Sequence, residues 1–362
     1  MTAPRHRLTV GPVTAWTIEQ WPFREQPDRL LTELYAARAV LHAEATPDDP
    51  RQPLAVEIAT VRHMPAIEDG VMLIARDAAG AIAGFSWCGW EQVPGMDHVM
   101  WTGIEVLPDA RRRGLGRLLL DRAAAVAEQH GLRLMIGRSR ANVPSGAAFC
   151  ERFGAEQAMV GRENRLDLRA IDRELVARWV AAGPIRAPGY RLEFVAGRTP
   201  PELIDRVAEV LNVMNTAPRE NMDVSDIEVT PELVRSIEEA RLAVGDQFWA
   251  YYAVEQSSGR LVGLTTIEIR PGTPDRVYVG DTGVEATHRG HALGKWLKAE
   301  ITERVLADLP HVRWVITWNA GSNDAMLGIN NQLGFRVASV ITTWQIATDR
   351  LQTSLAAAAA VR

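Results

Sequence analysis

Two short stretches of this chain combine an arginine with glycines at a spacing that suits the binding of an anion. Arg111 is followed by Gly114 and Gly116, and Arg289 is followed by Gly290 and Gly294. Glycine lets a ligand approach the backbone closely, and the free N–H groups at the start of a helix bind phosphate oxygens. Neighbouring arginine and histidine side chains add positive charge. The predicted chemistry is the binding of a diphosphate by main-chain amides.

The elements around each stretch strengthen this prediction. An apolar strand precedes each one, at Val99 to Val106 and at Val277 to Val284, and an amphipathic helix follows, at Arg117 to His130 and at Lys295 to Leu309. A glycine turn that merely starts a helix is the alternative interpretation for either stretch alone. Neither is a P-loop, since no Gly-Lys-Ser/Thr follows, and neither has the downstream acid of a dinucleotide fingerprint.

The two stretches belong to an internal repeat. Arg289 lies 178 positions after Arg111, and Val284 lies the same distance after Val106. Other landmarks keep this register to within two residues, namely Gly84 with Gly263, Gly116 with Gly294, and Gly154 with Gly334. Such a register indicates a tandem duplication with one α/β unit in each half.

The domain boundaries follow from the repeat. The apolar spacing of Ile171, Leu175 and Trp179 predicts a helix that Gly183-Pro184 ends, before a new strand at Tyr190 to Val195. We therefore predict an N-terminal domain at 1–171, a linker at 172–188, a C-terminal domain at 189–350 and a frayed Ala-rich tail at 351–362.

Composition excludes several classes of protein. The 362 residues carry a net charge of −5, which argues against a nucleic-acid-binding protein. The two cysteines suit a reducing compartment, and no apolar run is long enough to span a membrane. His42, His63 and His98 lack metal-ligand spacing. We expect a cytoplasmic protein without a metal.

The segment from Val106 to Gly116 (V-L-P-D-A-R-R-R-G-L-G) resembles motif A of the GCN5-related N-acetyltransferases, whose pattern is Gln/Arg-x-x-Gly-x-Gly/Ala. The pattern is complete in the first half, whereas Ala292 replaces the first glycine in the second half. The second half also carries D-T-G-V, T-W-N-A-G-S-N and L-G-F. Together, the halves resemble tandem acetyltransferases of the mycothiol-synthase-like kind.

The resemblance implies an α/β (α+β) fold of two tandem domains, each a central mixed, mostly antiparallel sheet flanked by helices. It implies acetyl-CoA as cosubstrate, with the diphosphate on the loop, the pantetheine beside the preceding strand, and the acetyl carbonyl held by the strand's last residue. The coenzyme-binding positions would be Val106, Arg111, Arg112, Arg113, Gly114, Leu115 and Gly116, and in the second half Val284, Arg289, Gly290, His291, Ala292, Leu293, Gly294, Asn319 and Asn323.

The catalytic groups are harder to assign. The family's usual general acid is a tyrosine five residues before a Gly-Phe phenylalanine, but Asn330 and Cys150 stand at that place in the two halves. An alkylamine must lose a proton before it attacks, so a base is needed. Asp281 and Glu268 are the candidates in the second half and Glu105 in the first. A solvated or salt-bridged strand carboxylate is the alternative for each.

The remaining polar candidates lie on loops. Asn319, Ser322 and Asn323 follow a strand, where they would contact pantetheine or acceptor, or cap the next helix. The segment 214–225 is loop-like, and in the family the loop after the first helix roofs the acceptor pocket. Asn215, Thr216, Arg219 and Glu220 are therefore candidate substrate contacts, with a plain solvated loop as the alternative.

The main hypothesis is an acyl-CoA-dependent N-acetyltransferase acting on a small-molecule amine by direct attack. No serine or cysteine lies in a nucleophile elbow, which disfavours a covalent intermediate. We expect the C-terminal half to be catalytic and the first half to bind coenzyme A idly or to serve as scaffold. The alternatives are a non-catalytic acyl-CoA-binding module and an acetyltransferase for a protein amine. We expect no nucleic acid or membrane partner, and a monomer or homodimer.

Overall fold

The computed structural model describes residues 16–360, which form two units that alternate along the chain. Unit 1 contains the described residues up to Met159, the short segment Asn221–Ser225, and the chain from Ile341 onward. Unit 2 contains Val160–Glu220 and Asp226–Val340. Two strands, β6 (Glu156–Asp167) and β12 (Arg336–Ala347), therefore contribute residues to both units.

Unit 1 is built on one mixed sheet, whose strand order is β1-β2-β3-β4-β5-β12. Only the β4–β5 pair is parallel among these neighbours. Besides β12, its elements are β1 (Thr17–Pro22), α1 (Asp28–Ala45), α2 (Leu54–Arg62), β2 (Glu68–Arg76), β3 (Ile82–Glu91), β4 (Val99–Val106), α3 (Leu115–Gln129), β5 (Leu134–Arg140), α4 (Pro144–Arg152) and α10 (Thr348–Ala360).

Helices cover both faces of this sheet. On one face, α3 and α10 pack through side chains that include Leu119, Ala123 and Leu351. On the other face, α1 packs Leu30 and Leu34 against strand residues that include Phe85. The alternation of side chains along each strand supplies an apolar residue to each face in turn.

Unit 2 repeats the plan, with strand order β6-β11-β10-β9-β8-β7 and one parallel pair, β10–β11. Besides β6, its elements are α5 (Arg173–Arg186), β7 (Tyr190–Ala196), α6 (Ile204–Leu211), α7 (Pro231–Ala243), β8 (Gln247–Glu255), β9 (Leu261–Ile269), β10 (Arg276–Val284), α8 (Leu293–Asp308), β11 (Trp314–Ala320) and α9 (Asp324–Leu333). The predicted class, a mixed and mostly antiparallel sheet flanked by helices in each repeat, is confirmed.

The last strand of each repeat completes the sheet that the other repeat begins. Ile341–Ala347 pair with Leu134–Arg140 in unit 1, and Gly161–Asp167 pair with Trp314–Ala320 in unit 2. The change of unit therefore occurs inside β6, at residues 159 and 160, and inside β12, at residues 340 and 341. The predicted linker, 172–188, is mostly helix α5, which packs on α8 within unit 2.

Two local predictions from sequence are wrong. The helix starting near Ile171 does not end at Gly183-Pro184 but runs through Pro184 to Arg186. Its glycine is needed for a close approach, since a Cβ on Gly183 would lie 2.3 Å from the indole Cγ of Trp296. The Ala-rich tail is not frayed within the described residues, because α10 runs to Ala360 and buries Leu351 and Leu355.

Among the helices of residues 16–360, none is both long and apolar enough to cross a bilayer.

Candidate active site

A wedge opens between the two parallel strands at the centre of each sheet. In unit 2, β10 pairs with β11 only over Arg276–Tyr278. Beyond this point β10 bonds to β9, and Thr317–Ala320 of β11 bond to β6. In unit 1, β4 pairs with β5 only over Val99–Trp101. The carboxyl half of each central strand therefore has main-chain groups facing a gap, where an extended ligand chain can bind.

The turn after each wedge has one backbone conformation in both units. The first and third residues after the motif arginine have positive φ angles, at Arg112 (61°) and Gly114 (86°) in unit 1 and at Gly290 (88°) and Ala292 (59°) in unit 2. Each turn places glycine at one of the two left-handed positions and a larger residue at the other. The substitution at Ala292 therefore leaves the path of the loop unchanged.

These turns present free main-chain N–H groups at the starts of α3 and α8. Neither helix has a side-chain hydrogen bond capping its N-terminus. Leu115 and Leu293 are buried, so that they anchor the first turn of each helix in the core. The backbone donors and the positive end of the helix dipole remain for an anionic ligand. The backbone at both turns is compatible with the predicted diphosphate site, which stays a prediction.

The motif arginines fasten each turn to the preceding strand. Arg111 Nε donates to the carbonyl oxygen of Val106 at 2.9 Å, and Arg289 Nε donates to that of Val284 at 3.0 Å. The other hydrogen-bond partners of the two guanidinium groups differ. Arg111 forms a two-pronged ion pair with Glu44, at 2.7 and 2.5 Å, which lowers the pKa of that carboxyl. Arg289 instead donates to the neutral hydroxyl of Thr216 at 3.0 Å.

A β-bulge distinguishes the wedge of unit 2. The β9–β10 register shifts between Val279 and Thr282, whereas β3 and β4 pair without interruption. Arg276 in β10 and Val99 in β4 are the first residues that pair with the neighbouring parallel strand. Counted from there to the end of the strand, β10 is one residue longer than β4, and this extra residue forms the bulge. The bulge contains Gly280 and Asp281, and the Asp281 amide donates to Thr266 Oγ1 at 2.9 Å.

The bulge brings Asp281 to the sheet face that α6 and α7 cover. Tyr252 and Leu264 lie on this face. Burial raises the pKa of Tyr252, and the nearby charge of Asp281 raises it further. Burial, with a smaller contribution from Glu268, raises the pKa of the Asp281 carboxyl above its usual value. Within residues 16–360 no cation lies within ion-pair distance of this carboxylate. A half-buried carboxylate without a counter-ion is suited to accepting a proton.

Comparisons with known proteins agree with these features. A family model described as Acetyltransferase (GNAT) family matches residues 32–155. The solved structure of a tandem GNAT protein from the clavulanic acid biosynthesis pathway aligns with a TM-score of 0.74 and 26% identity over 91% of this chain and 98% of its own. Residues 32–155 therefore lie in a GNAT domain, and the chain as a whole shares the tandem GNAT fold of this neighbour. A GCN5-related N-acetyltransferase from Sphaerobacter thermophilus shares the fold, with a TM-score of 0.59 and 15% identity over 91% of this chain and 96% of its own.

Two curated mycothiol acetyltransferases are also similar to the chain. That of Geodermatophilus obscurus is 30% identical over 153 residues, which are 42% of this chain and 48% of the relative. That of Saccharomonospora viridis is 29% identical over 244 residues, 64% of this chain and 69% of the relative. The chain thus spans about half the length of the first relative and somewhat more than two thirds of the second.

The equivalent face in the first GNAT unit is closed by aromatic side chains. Trp87, paired with Gly103, lies so close that a Cβ on that glycine would be 2.1 Å from the indole Nε1. Phe85 is fully buried beside Glu105, whose pKa burial raises and Arg38 partly lowers. Asp281 and Thr266 therefore have no counterparts of similar chemistry in unit 1.

Glu268, the second predicted base, is engaged elsewhere. Its carboxylate accepts from the Arg270 guanidinium at 3.0 and 2.6 Å, and that guanidinium stacks on the Tyr278 ring at 4.1 Å. Glu268 is close enough to raise the pKa of Asp281 but already has a counter-ion. Its geometry suits a supporting charge better than a proton acceptor.

The polar residues after β11 divide into capping and buried groups. Asn323 Oδ1 accepts from the Met326 amide at 3.2 Å, which is the predicted N-cap of α9. Ser322 donates to Glu220 at 3.1 Å. Asn330, at the place of the family's tyrosine, is fully buried and donates through Nδ2 to Asn319 Oδ1 at 2.9 Å.

The predicted substrate residues hold the segment after α6 together. Asn215 bonds to both main-chain groups of Ile227, and Arg219 pairs with Asp226 at 2.7 Å. Thr216 bonds to Arg289, and Glu220 accepts from the main-chain N–H of Val160 at 3.2 Å. These side chains have protein partners, and their part in acceptor binding stays a prediction.

Of the remaining predicted coenzyme contacts, Arg113 stacks on the Trp16 ring at 5.2 Å, and Tyr190 lies 5.4 Å from the His291 ring. A Cβ on Gly116 would lie 3.1 Å from Phe149, and one on Gly294 3.4 Å from Ile329, so these glycines sit close to the helix that follows.

Sequence reasoning missed Thr266 and Glu44. No signal in the sequence pointed to Thr266, because the predicted strands Val99 to Val106 and Val277 to Val284 have the same length and the bulge is visible only in the structure. No signal in the sequence connected Glu44 to Arg111, because the two residues come together only in the folded unit.

Proposed function

We propose that this GNAT protein transfers an acetyl group from acetyl-CoA to the amine of a small molecule, and that unit 2 carries out the reaction. The observation that carries the proposal is the bulge in β10, which puts the unpaired, half-buried carboxylate of Asp281 beside the wedge. Bulges are frequent next to active sites, because they redirect a side chain. The names of the mycothiol acetyltransferase relatives support a small-molecule amine as acceptor.

The loop and wedge fit the coenzyme. The diphosphate would bind the free N–H groups at the start of α8, and the pantetheine would extend along the unpaired edge of β10 towards Gly283 and Val284. Arg289 keeps its charge for this purpose, since its partners are a carbonyl and a hydroxyl. In unit 1 the charge of Arg111 is balanced by Glu44. Coenzyme binding there would depend more on backbone donors.

The reaction follows from this placement. An alkylammonium group of ordinary pKa is almost entirely protonated at neutral pH, so its proton must pass to a base. Asp281, directly or through a water molecule, accepts that proton. The free amine attacks the thioester carbonyl carbon, a C–N bond forms, and the C–S bond breaks with its electron pair on sulfur. The nitrogen releases its second proton to water as the amide forms. In unit 1 the equivalent place holds Gly103 under the Trp87 indole, so no carboxylate stands there to accept the proton.

A non-catalytic acyl-CoA-binding module is the second candidate, and the absence of the usual tyrosine in both halves favours it. Thiol release from acetyl-CoA with a panel of amines separates the two. Turnover that falls at least a hundredfold in Asp281→Asn, but stays within twofold of the wild type in Glu105→Gln, supports catalysis in unit 2. Calorimetric binding of acetyl-CoA without turnover on any amine supports the binding module.

A further inference from the structure

One pair of buried side chains has no place in the reaction described so far. Asn330, fully buried, donates from Nδ2 to Asn319 Oδ1 at 2.9 Å, and its own Oδ1 has no partner among the described residues. Leaving a buried amide oxygen without a hydrogen bond costs about 1–3 kcal/mol. A cost of this size calls for a reason why the pair is oriented in this way.

The direction of the hydrogen bond between Asn330 and Asn319 follows from which polar groups each orientation leaves without a partner. If both amides were turned, Asn319 Nδ2 would donate to Asn330 Oδ1, and the two N–H groups of Asn330 would be buried without an acceptor. Orphaned N–H groups are rarer in proteins than under-satisfied carbonyl oxygens. The arrangement in the structure is therefore the favourable one, and it leaves Asn319 Nδ2 as a free donor.

Asn319 lies in the open part of the wedge. The β10–β11 pairing ends at Ile316, and Asn319 is three residues further along β11, held from the other side by β6. The residue is 9% exposed, and within residues 16–360 its Nδ2 meets no protein acceptor. An amide donor in a nearly dry gap interacts strongly with a negative charge that develops there.

We propose that Asn319 Nδ2 donates a hydrogen bond to the sulfur of coenzyme A as it leaves as a thiolate, and that Asn330 is the positioning residue that directs this donor into the wedge. The proposal rests on the proposed function of unit 2. When the C–S bond breaks, its electron pair stays on sulfur, stabilised by the amide N–H. The ammonium group loses one proton to Asp281 and the nitrogen loses the second to water, and the thiolate leaves unprotonated, so no acid is required at the place of the missing tyrosine.

Unit 1 offers a matched comparison. The residues 180 positions before Asn319 and Asn330 are Ser139 and Cys150. The Ser139 hydroxyl oxygen accepts from Trp344 Nε1 at 2.9 Å, and burial raises the pKa of the Cys150 thiol to about 11. The amide pair, with its free donor, is thus confined to unit 2.

The test measures the ionisation of the bound thiol, which needs no acceptor. Affinities of the full-length protein for coenzyme A and for its S-methyl thioether are compared by calorimetry from neutral to alkaline pH. A donor to the thiolate lowers the bound thiol pKa below its free value of about 8.5. Coenzyme A should then gain at least tenfold in affinity over the thioether as its thiol ionises.

The variants make the test specific. Asn319→Ala removes the donor. In Asn330→Leu the donor to Asn319 Oδ1 is lost, so nothing keeps the Asn319 Nδ2 directed into the wedge. Both should abolish the pH-dependent gain while thioether binding and melting temperature show that the fold persists. Ser139→Ala should keep the gain. With an amine that gives turnover, Asn319→Ala should lower kcat by about 10²–10³-fold, the usual effect of losing one such donor.

The outcomes are distinguishable. Thioether binding without any lowering of the thiol pKa in the wild type overturns the role of Asn319 and leaves acetyl transfer standing. A gain that persists in both variants does the same. If neither coenzyme A nor its thioether binds, the proposed function itself fails.

Discussion

Trp87 lies directly over Gly103 in unit 1, with the indole Nε1 only 2.1 Å from where a glycine Cβ would stand. At the equivalent place in unit 2, the β10 bulge puts Asp281 beside Thr266. Beside two similar wedges, the tandem fold thus has one sheet face covered by an indole and one that carries a carboxylate. The difference arises from one inserted residue and one large side chain.

Gly103→Ala should therefore destabilise unit 1 without affecting catalysis. The added methyl group must displace a large indole, and overpacking of this kind costs about 1–3 kcal/mol. Urea denaturation should show the loss, and kcat should stay within twofold of the wild type. A large fall in kcat would instead place catalysis in unit 1.

Asp281→Asn should lower kcat/KM by about 10²–10⁴-fold, the usual contribution of a general base. Burial raises the pKa of this carboxyl, and the ionised form is the one that accepts a proton. Activity of the wild type should therefore fall as the pH drops through a value above 3.8, the ordinary pKa of an aspartate. The variant should lose this acid limb, and acetyl-CoA affinity should be unchanged. An acid limb that persists would exclude Asp281 as the base.

Lys298→Leu should stabilise the protein. Lys298 is 2% exposed on α8, and burial lowers its pKa to about 7. Below that pH the buried amine is charged, so the destabilisation is fully present. It is relieved as the pH rises towards 10.5, because the folded state releases a proton that the unfolded state retains. The variant should gain a few kcal/mol near pH 6 and little near pH 10 in denaturant titrations. Leu120, 178 positions earlier, shows that the fold accommodates leucine there.

Ala292→Gly should raise the melting temperature slightly. A left-handed conformation costs an L-residue about 1–2 kcal/mol, which glycine avoids, although glycine also gains freedom in the unfolded state. Ala292 has a φ of 59°, and Arg112→Gly, at 61° in unit 1, is the matched variant. Both should leave the affinity for acetyl-CoA unchanged in calorimetry. A loss of affinity in Ala292→Gly would mean that the rigidity of the turn contributes to binding.

A fragment of residues 1–171 should not fold like the N-terminal half of the intact chain. It lacks Ile341–Ala347, which pair with β5, and α10, which covers α3. Hydrogen exchange should show rapid exchange in β5 and α3 of the fragment, and addition of a peptide covering 336–360 should slow it. Native-like protection in the fragment alone would show that this strand contributes little to stability.

The amino-acid sequence by itself determined the tandem repeat, the two strand–turn–helix motifs and the GNAT resemblance. These depend on local periodicity and on glycine and arginine at fixed spacing, which a chain carries before it folds. Tertiary structure decided the rest. Glu44 balances the charge of Arg111, and Arg270 forms an ion pair with Glu268. A hydrogen bond from Asn330 orients the Asn319 amide. The last strand of each half, β6 or β12, also pairs in the sheet of the other half. Pairings between residues that are distant in sequence depend on where the folded backbone places them. They therefore cannot be predicted from residue spacing along the chain.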